Sequence, residues 1–495
     1  MQKQNYNMRT ERKSSIKNSA TRLILIALLV LIQTGWMIVL MSKLNTYSTA
    51  ITLIMTCIAV IIALKVFGTH VNSAQRMPWL IVITAVPFFG ICIYLLFGRS
   101  IVTKGMRRRF NGIEADILKN KLKQDEQIIK ELEQKDPGIA NQCRYISNTA
   151  KYPVYKNTDM EYYNTALESF EAQLWELSKA EKFIFMEYHA IEDAISFERL
   201  KKVLIDKAKN GVEVRIFYDD LGSIFFLNKE FIKRMRDEGI QCRVFNPLKV
   251  IVNMFMNNRD HRKITVIDGK VGFTGGYNLA DEYFNITHPY GYWKDTGVKL
   301  TGDAVKSLTA SFLTMWNAID HTDSQEAYDE YIDATDGTYN AASQECYVQP
   351  YSDNPLGHDR IGEDVYLNIL KNAKHYVYIT TPYLIITDEM ERELRLAVKR
   401  GVDVRIVTPG IPDKKMVYKI TRSYYEPLCS AGVRIYEYTP GFCHAKQWVA
   451  DDEVCVVGTI NMDFRSLYLH FENAVFTYNR ELAGKVKADM LNNFE

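Results

Sequence analysis

The first hundred residues are patterned unlike the rest of the chain. Leu23 to Met41, "LILIALLVLIQTGWMIVLM", contains no charge, and Pro78 to Gly98, "PWLIVITAVPFFGICIYLLFG", is as apolar. Each run is long enough to cross a hydrocarbon core of about 30 Å. Ser48 to Gly68 is a third candidate, with Lys65 near its end, where an ammonium can snorkel toward the headgroups. Two or three transmembrane helices are therefore expected over residues 1–109. The first run is long, lacks a small-residue cleavage site and is followed by further apolar runs, which separates it from a removed signal peptide.

From Phe110 the apolar positions become periodic. "FNGIEADILKNKLKQDEQIIKELEQK" spaces Ile113, Ile117, Leu118 and Leu122 as on one helix face, predicting a charged linker helix within residues 110–145. Beyond it the pattern repeats. "KFIFMEYHAI" from Lys182 and "HYVYITTPYL" from His375 read as buried strands. Each leads through a helical stretch to "KNGVEVRIFYDD" (Lys209 to Asp220) or "KRGVDVRIVTPG" (Lys399 to Gly410), and "GIQCRVFNP" is answered by "AGVRIYEYTP". The helix–Gly–strand rhythm predicts α/β units with a largely parallel sheet. An internal duplication accounts for the pairing, with one half over residues 146–330 and the other over 331–495. The polar, turn-rich stretch from Asp323 to Ser343 is the natural joint.

Charge adds little to this outline. A net charge of +2 argues against a surface that coats nucleic acid. Basic residues flank the apolar region on both sides: Lys3, Arg9, Arg12, Lys13, Lys17 and Arg22 before it, Arg99, Lys104, Arg107, Arg108 and Arg109 after it. Both flanks then belong in the cytoplasm, whereas three full crossings would separate them, so the number and orientation of spans stay open. "KGMRRR", Lys104 to Arg109, either attracts anionic headgroups or serves as a topology signal. Eight cysteines without framework spacing favour a reducing compartment for the large C-terminal part.

Both halves end in one pattern: "HRKITVIDGKVGFTGGYN", His261 to Asn278, and "HAKQWVADDEVCVVGTIN", His444 to Asn461. The strand period of two puts His261 with Lys263, and His444 with Lys446, on one face. The next strand brings Gly275, Gly276 and Asn278, or Gly458, Thr459 and Asn461; the small residues permit close backbone approach and the amides can donate. Related by a pseudo-twofold axis, the imidazoles, ammoniums and amides form one clamp for a phosphoryl group, with a nucleophile on one side and a proton donor on the other. The lysines take the electrostatic role that a metal plays elsewhere, so neither metal nor cofactor is expected.

The twin pattern resembles the phospholipase D superfamily. The strings "GVEVRIFYDDLGS", "NNRDHRKITVIDGKVGFTGGYNLADEY", "GYWKDTGVKLTG", "TTPYLI", "PGIPDKK", "RSYYEPL" and "GTINMDFRSLYLHFEN" are similar to the bacterial cardiolipin synthases within it, over nearly the whole chain. The resemblance implies two phospholipase D-like α/β sandwich halves behind transmembrane helices, in a multi-pass protein of the cell membrane; the cysteine usage and the basic flanks point to a cytoplasmic catalytic region. It also implies a ping-pong transfer. One His attacks the phosphorus of a phosphatidyl group while the other protonates the departing alcohol, then deprotonates the incoming one. In that family donor and acceptor are both phosphatidylglycerol, and the products are cardiolipin and glycerol.

Carried onto this chain, the motif residues are His261, Lys263, Asp268, His444, Lys446 and Asp451. His261 is assigned as nucleophile and His444 as acid/base, an assignment that the symmetry of the sequence leaves open. Lys263, Lys446, Asn278 and Asn461 would bind phosphate. Asp268 and Asp451 look architectural, while Asp295 and Glu472, placed alike after their histidines, are candidates to orient the rings. The expected partners are phosphatidylglycerol and anionic membrane lipid, with no nucleic acid. Water as acceptor would make the enzyme a phospholipase D, another alcohol a different phosphatidyltransferase; a superfamily nuclease fits the apolar spans poorly. Cys443 reads as a small buried hydrophobe, and His189 and His375 as structural. "EYHAIEDAISFE", Glu187 to Glu198, departs from the family's usual run of hydrophobes and glycine.

Overall fold

The computed structural model describes residues 48–69, 73–95, 104–228, 230–247, 258–320, 328–334, 339, 346–357 and 359–495, with scattered positions between 28 and 42. It divides into two units, Met1–Val102 with Pro247–Asn258, and Thr103–Asn246 with Arg259–Glu495.

In the first unit, helices α1 (Ser48–Phe67), α2 (Ser73–Ala85) and α3 (Pro87–Ile93) surround a small core of Ala59, Val66, Ile83 and Ile91. Gly90 permits the close turn between α2 and α3, since a Cβ there would lie 2.2 Å from the Val82 carbonyl oxygen. The apolar run from Pro78 is therefore not one rod. Pro87 disfavours the helical conformation at Val86, whose ψ of 78° separates the two helices. Among the described residues no helix is long and apolar enough to cross a membrane. Most of Leu23 to Met41 lies outside the described residues.

The expected single linker helix is three. Lys104–Asp116 runs into a π turn, Ile117–Lys121, and the chain is extended at Leu122. Asp125 then caps Glu126–Lys135 by accepting from the Gln127 N–H, and Asp136 caps Pro137–Thr149 by accepting from Gly138 and Ile139. Ile117, Leu118 and Leu122 are buried as their spacing requires.

Two sheets follow, built alike. The first contains β1 (Thr158–Tyr163), β2 (Phe183–Tyr188), β3 (Glu213–Asp219), β4 (Gln241–Phe245), β5 (Lys263–Ile267), β6 (Val271–Gly275) and β7 (Gly297–Gly302), in the order β1-β7-β6-β5-β2-β3-β4. The second contains β8 (Tyr347–Asp353), β9 (Tyr376–Thr380), β10 (Asp403–Pro409), β11 (Arg434–Tyr438), β12 (Gln447–Ala450), β13 (Val454–Gly458) and β14 (His470–Tyr478), in the order β8-β14-β13-β12-β9-β10-β11. Strand order and direction correspond throughout. The sheets are mixed, however, not largely parallel: β2-β3-β4 and β9-β10-β11 run parallel, and the other neighbours antiparallel. The reason is the tight turn after each motif strand, where Asp268 and Gly269, or Asp451 and Asp452, take positive φ and fold the chain back as a hairpin.

Strand alternation divides the first core. Ile184, Met186 and Tyr188 join Phe170, Phe197 and Leu200 on one face of the first sheet. Phe185 and Phe217 face the other way, where Phe185 stacks on Phe312 at 4.6 Å and Phe217 meets Trp316 from the buried helix Val305–Ile319. Most of the polar joint Asp323 to Ser343 lies outside the described residues; a short helix, Asp329–Ile332, is described within it.

Candidate active site

Two short ladders join the halves, and each delivers one motif histidine. Arg259–Asp260 pairs in parallel with His470 and Phe471, and the next residue, His261, donates its backbone N–H to the Phe471 carbonyl at 2.9 Å. Gly441–Cys443 pairs in parallel with Tyr292–Lys294, and His444 donates to the Lys294 carbonyl at 2.7 Å. Each histidine is thus fixed by the backbone of the opposite half.

The rings are held across the same boundary. His261 Nδ1 lies 2.9 Å from Glu472 Oε2, and His444 Nδ1 lies 2.7 Å from Asp295 Oδ2; both carboxylates are fully buried. The carboxylate that follows each motif in its own half therefore serves the other half's histidine. A carboxylate opposite Nδ1 fixes the proton there and leaves the Nε2 lone pair free for chemistry. Lys446 Nζ also stands 2.8 Å from His444 Nδ1, but that nitrogen holds one proton, and the Asp295 carboxylate is its acceptor.

Glycine makes this crossing possible. A Cβ at Gly276 would lie 2.1 Å from Asp295 Oδ1, and one at Gly458 would lie 2.5 Å from the Asn473 carbonyl, next to Glu472. The small residues downstream of each motif are therefore the space into which the neighbouring carboxylate strand fits.

Lys263 donates to the His261 carbonyl at 2.6 Å, and Lys446 to the His444 carbonyl. Both ammoniums are buried, and burial pushes their pKa values down to about 7 and about 8, against the pull of Glu472 and Asp295. Burial, with Lys446, lowers His444 to about 4, partly offset by Asp295. His261 lies well below its usual value, through burial, Lys263 and the neighbouring imidazoles. Two neutral imidazoles, two buried ammoniums and the carboxylates of Glu472 and Asp295 thus line one pocket. Asn278 donates to the Tyr283 hydroxyl at 2.7 Å and accepts from the Ala190 N–H, whereas Asn461 Oδ1 is buried with no hydrogen bond among the described residues.

Asp268 and Asp451 do not reach this site. They stand just past the far ends of β5 and β12, seven residues from the histidines, which is about 23 Å of extended chain. Asp268 accepts from the N–H groups of Glu181, Lys182 and Phe183, and Asp451 from those of Lys374, His375 and Tyr376. Each carboxylate pins its hairpin to the start of the central strand. His375 accordingly lies at that end too, while Cys443 is buried and its thiol is pushed up to about 12 by burial.

His189 reads from the sequence as structural, and His470, Trp293, Tyr283 and Phe442 are not singled out there, yet these are the residues that crowd the rings. His189 packs against His261 with ring centroids 5.0 Å apart, its Nδ1 2.7 Å from the Asp260 carbonyl oxygen, and His470 lies on another side at 5.6 Å. Trp293, Tyr283 and Phe442 surround His444 at 5.3, 5.4 and 5.7 Å. The departure at "EYHAIEDAISFE" was the one available signal for His189. Among the described residues, His261, His470 and Glu472 bring ligand atoms within 4.8 Å of one another. A cation there would take a motif imidazole away from the chemistry and meet the Lys263 and Lys446 charges, which disfavours it.

A family profile described as "Cardiolipin synthase, PLD-like domain" matches residues 174–316 and 366–493, and one described as "Phospholipase_D-nuclease N-terminal" matches 54–99. The chain is 41% identical to an uncharacterized protein of Streptococcus mutans over 86% of its own length and 91% of that protein. It is 32% identical to a cardiolipin synthase of Alkalihalophilus pseudofirmus, covering 90% of this chain and 88% of the relative. A Clostridium perfringens (strain SM101) cardiolipin synthase is 34% identical, over 83% and 86%. The crystal structure of phosphatidylserine synthase from Haemophilus influenzae shares the fold, with a TM-score of 0.54 at 15% identity over 71% of this chain and 90% of that one. With the twin motifs meeting in one buried site, the chain belongs to the cardiolipin synthase family of phospholipase D-like proteins.

Proposed function

We propose that the protein is a membrane-bound phosphatidyltransferase that converts two molecules of phosphatidylglycerol into cardiolipin and glycerol. The carrying observation is the crossed pairing, His261 with Glu472 and His444 with Asp295, which makes two half-sites into one. Family membership supports the lipid substrate.

In the first half-reaction His261 Nε2 attacks phosphorus as the bond to the glycerol headgroup breaks, and His444, which takes a proton on Nε2 when the anionic phosphodiester enters the site, gives that proton to the departing glycerol. Lys263 and Lys446 hold the non-bridging oxygens, whose charge favours the ammonium form of both lysines. In the second, His444 takes the proton of an incoming phosphatidylglycerol hydroxyl, which attacks phosphorus and breaks the bond to His261. The role assignment rests on an asymmetry. Glu472 already accepts from the Thr459 and Ser466 hydroxyls, so its charge is shared, whereas Asp295, among the described residues, accepts otherwise only from its neighbour's N–H. The less occupied carboxylate stabilises an imidazolium better, which suits His444 to acid/base work.

The apolar N-terminal runs anchor the enzyme in the membrane in this reading. Support comes from the exposed Leu53, Ile54, Ile61, Leu64 and Phe67 on one helix. In this reading the halves span residues 146–330 and 331–495, each with one of the two sheets. Purified full-length protein given labelled phosphatidylglycerol in vesicles should release cardiolipin and free glycerol in equal amounts; phosphatidic acid as the sole lipid product would make it a hydrolase.

A further inference from the structure

We infer that the helix Lys415–Ser423 and the loop before it form a docking surface that seats the mouth of the active site on an anionic bilayer. The inference rests on the lipid-substrate reading above and adds where the lipid surface meets the protein.

The helix has one buried anchor and an exposed arc. Thr421 is buried, and its hydroxyl oxygen accepts from the Leu384 N–H at 3.2 Å. Met416 and Ile420, one turn apart, are 71% and 46% exposed, and Ile411 in the preceding loop is 40% exposed. Lys415 and Lys419 stand beside them on the same exposed side, with Lys414 and Arg422 at the ends. Lys414 is paired with Asp413 at 2.9 Å and Arg422 with Glu437 at 3.1 Å. Lys415 and Lys419 make no ion pair among the described residues, so the surface keeps an excess of positive charge. Exposed apolar side chains interleaved with unpaired lysines suit a lipid interface, where the former enter the headgroup–acyl boundary and the latter meet anionic headgroups. A polyanion without an apolar layer would leave Met416 and Ile420 unused.

The surface adjoins the chemistry. The Ile411 N–H donates to the Gly441 carbonyl at 3.1 Å, on the strand that ends at Cys443, immediately before His444. Lys414 donates to the Tyr383 hydroxyl at 3.1 Å; the Tyr383 ring lies 6.3 Å from Phe442, which lies 5.7 Å from the His444 ring. Tyr292, 40% exposed, pairs with Gly441 on the same rim. A bilayer docked on Met416 and Ile420 therefore presents its phosphate layer two side chains from His444.

The test uses the full chain reconstituted in vesicles of phosphatidylcholine, with and without phosphatidylglycerol. Backbone hydrogen exchange over residues 411–423 should slow severalfold when phosphatidylglycerol is present. In the Met416→Ser/Ile420→Ser and Lys415→Ala/Lys419→Ala double variants that protection should vanish. Turnover of vesicle phosphatidylglycerol should fall roughly tenfold, while turnover of a monomeric short-chain phosphatidylglycerol stays unchanged. Exchange indifferent to phosphatidylglycerol, or double variants with wild-type turnover on vesicles, would overturn the inference. So would protection that follows protein concentration in lipid-free detergent, which would mark a contact between copies. If the wild type turns over neither form of the lipid, the substrate reading fails, and the exchange result still decides the docking.

Discussion

The two motif histidines occupy equivalent places on equivalent sheets, yet their surroundings differ. His261 sits among imidazoles, with His189 and His470 against it and a carboxylate whose oxygens are shared with two hydroxyls. His444 sits in an aromatic cage of Trp293, Tyr283 and Phe442, with a carboxylate that has little else to do. Duplication thus conserved the geometry of the clamp while the neighbours of its two bases diverged. A ping-pong transfer asks different things of them, since one ring must stay neutral to attack while the other carries the proton.

The largest effect should come from removing either ring. His261→Ala and His444→Ala are each expected to lower phosphatidyl transfer by at least roughly 10³-fold with thermal unfolding unchanged; near-normal turnover in either variant would break the one-site account.

Next come the crossed carboxylates. Asp295→Asn and Glu472→Gln should each reduce transfer by roughly 10–100-fold. The comparison sharpens with a nitrophenyl leaving group, which needs no protonation. Formation of the covalent adduct should then recover in Asp295→Asn and stay slow in Glu472→Gln, as stopped-flow release of nitrophenol would show.

A pH profile separates the lysines from the imidazoles. Burial lowers Lys263 to about 7 and Lys446 to about 8, and the clamp needs both charged, so kcat/KM of the free enzyme should decline as pH rises through 7 to 8. A bound phosphodiester restores the ammonium charge, so the same limb in kcat should lie higher. Lys263→Arg, which stays charged, should remove the lower part of the decline even where the plateau is reduced.

The smallest effect belongs to the hydroxyls behind Glu472. Ser466→Ala removes one hydrogen bond to that carboxylate, makes it a stronger partner for a protonated His261, and should move the acid limb of kcat/KM upward with only a few-fold loss at neutral pH. The equivalent limb for His444 should not move.

The twin motifs, the strand–helix rhythm and the apolar N terminus were all legible, because each is a local pattern. Strand direction was misjudged although "IDGK" carries the Asp-Gly turn that makes a hairpin; the helix–Gly–strand rhythm elsewhere outweighed it. The exchange of carboxylates between halves left no local trace. Asp295 and Glu472 follow their own motifs at similar spacing, and nothing in that spacing reports that the chain crosses over at Tyr292–Lys294 and at Arg259–Asp260. Likewise the crowding of His189 and His470 around His261 arises from strands distant in sequence. The breaks in the linker were readable from Asp125, Asp136 and Pro137, which cap and start new helices.

The division of labour between the histidines is tested most directly by trapping the intermediate. His444→Asn given a nitrophenyl phosphatidyl donor should form a covalent adduct that accumulates, because nothing activates the incoming alcohol. Mass spectrometry of a rapidly quenched digest should place the phosphatidyl group on the peptide containing His261. An adduct on His444 in the converse His261→Asn variant, with none in His444→Asn, would contradict the assignment.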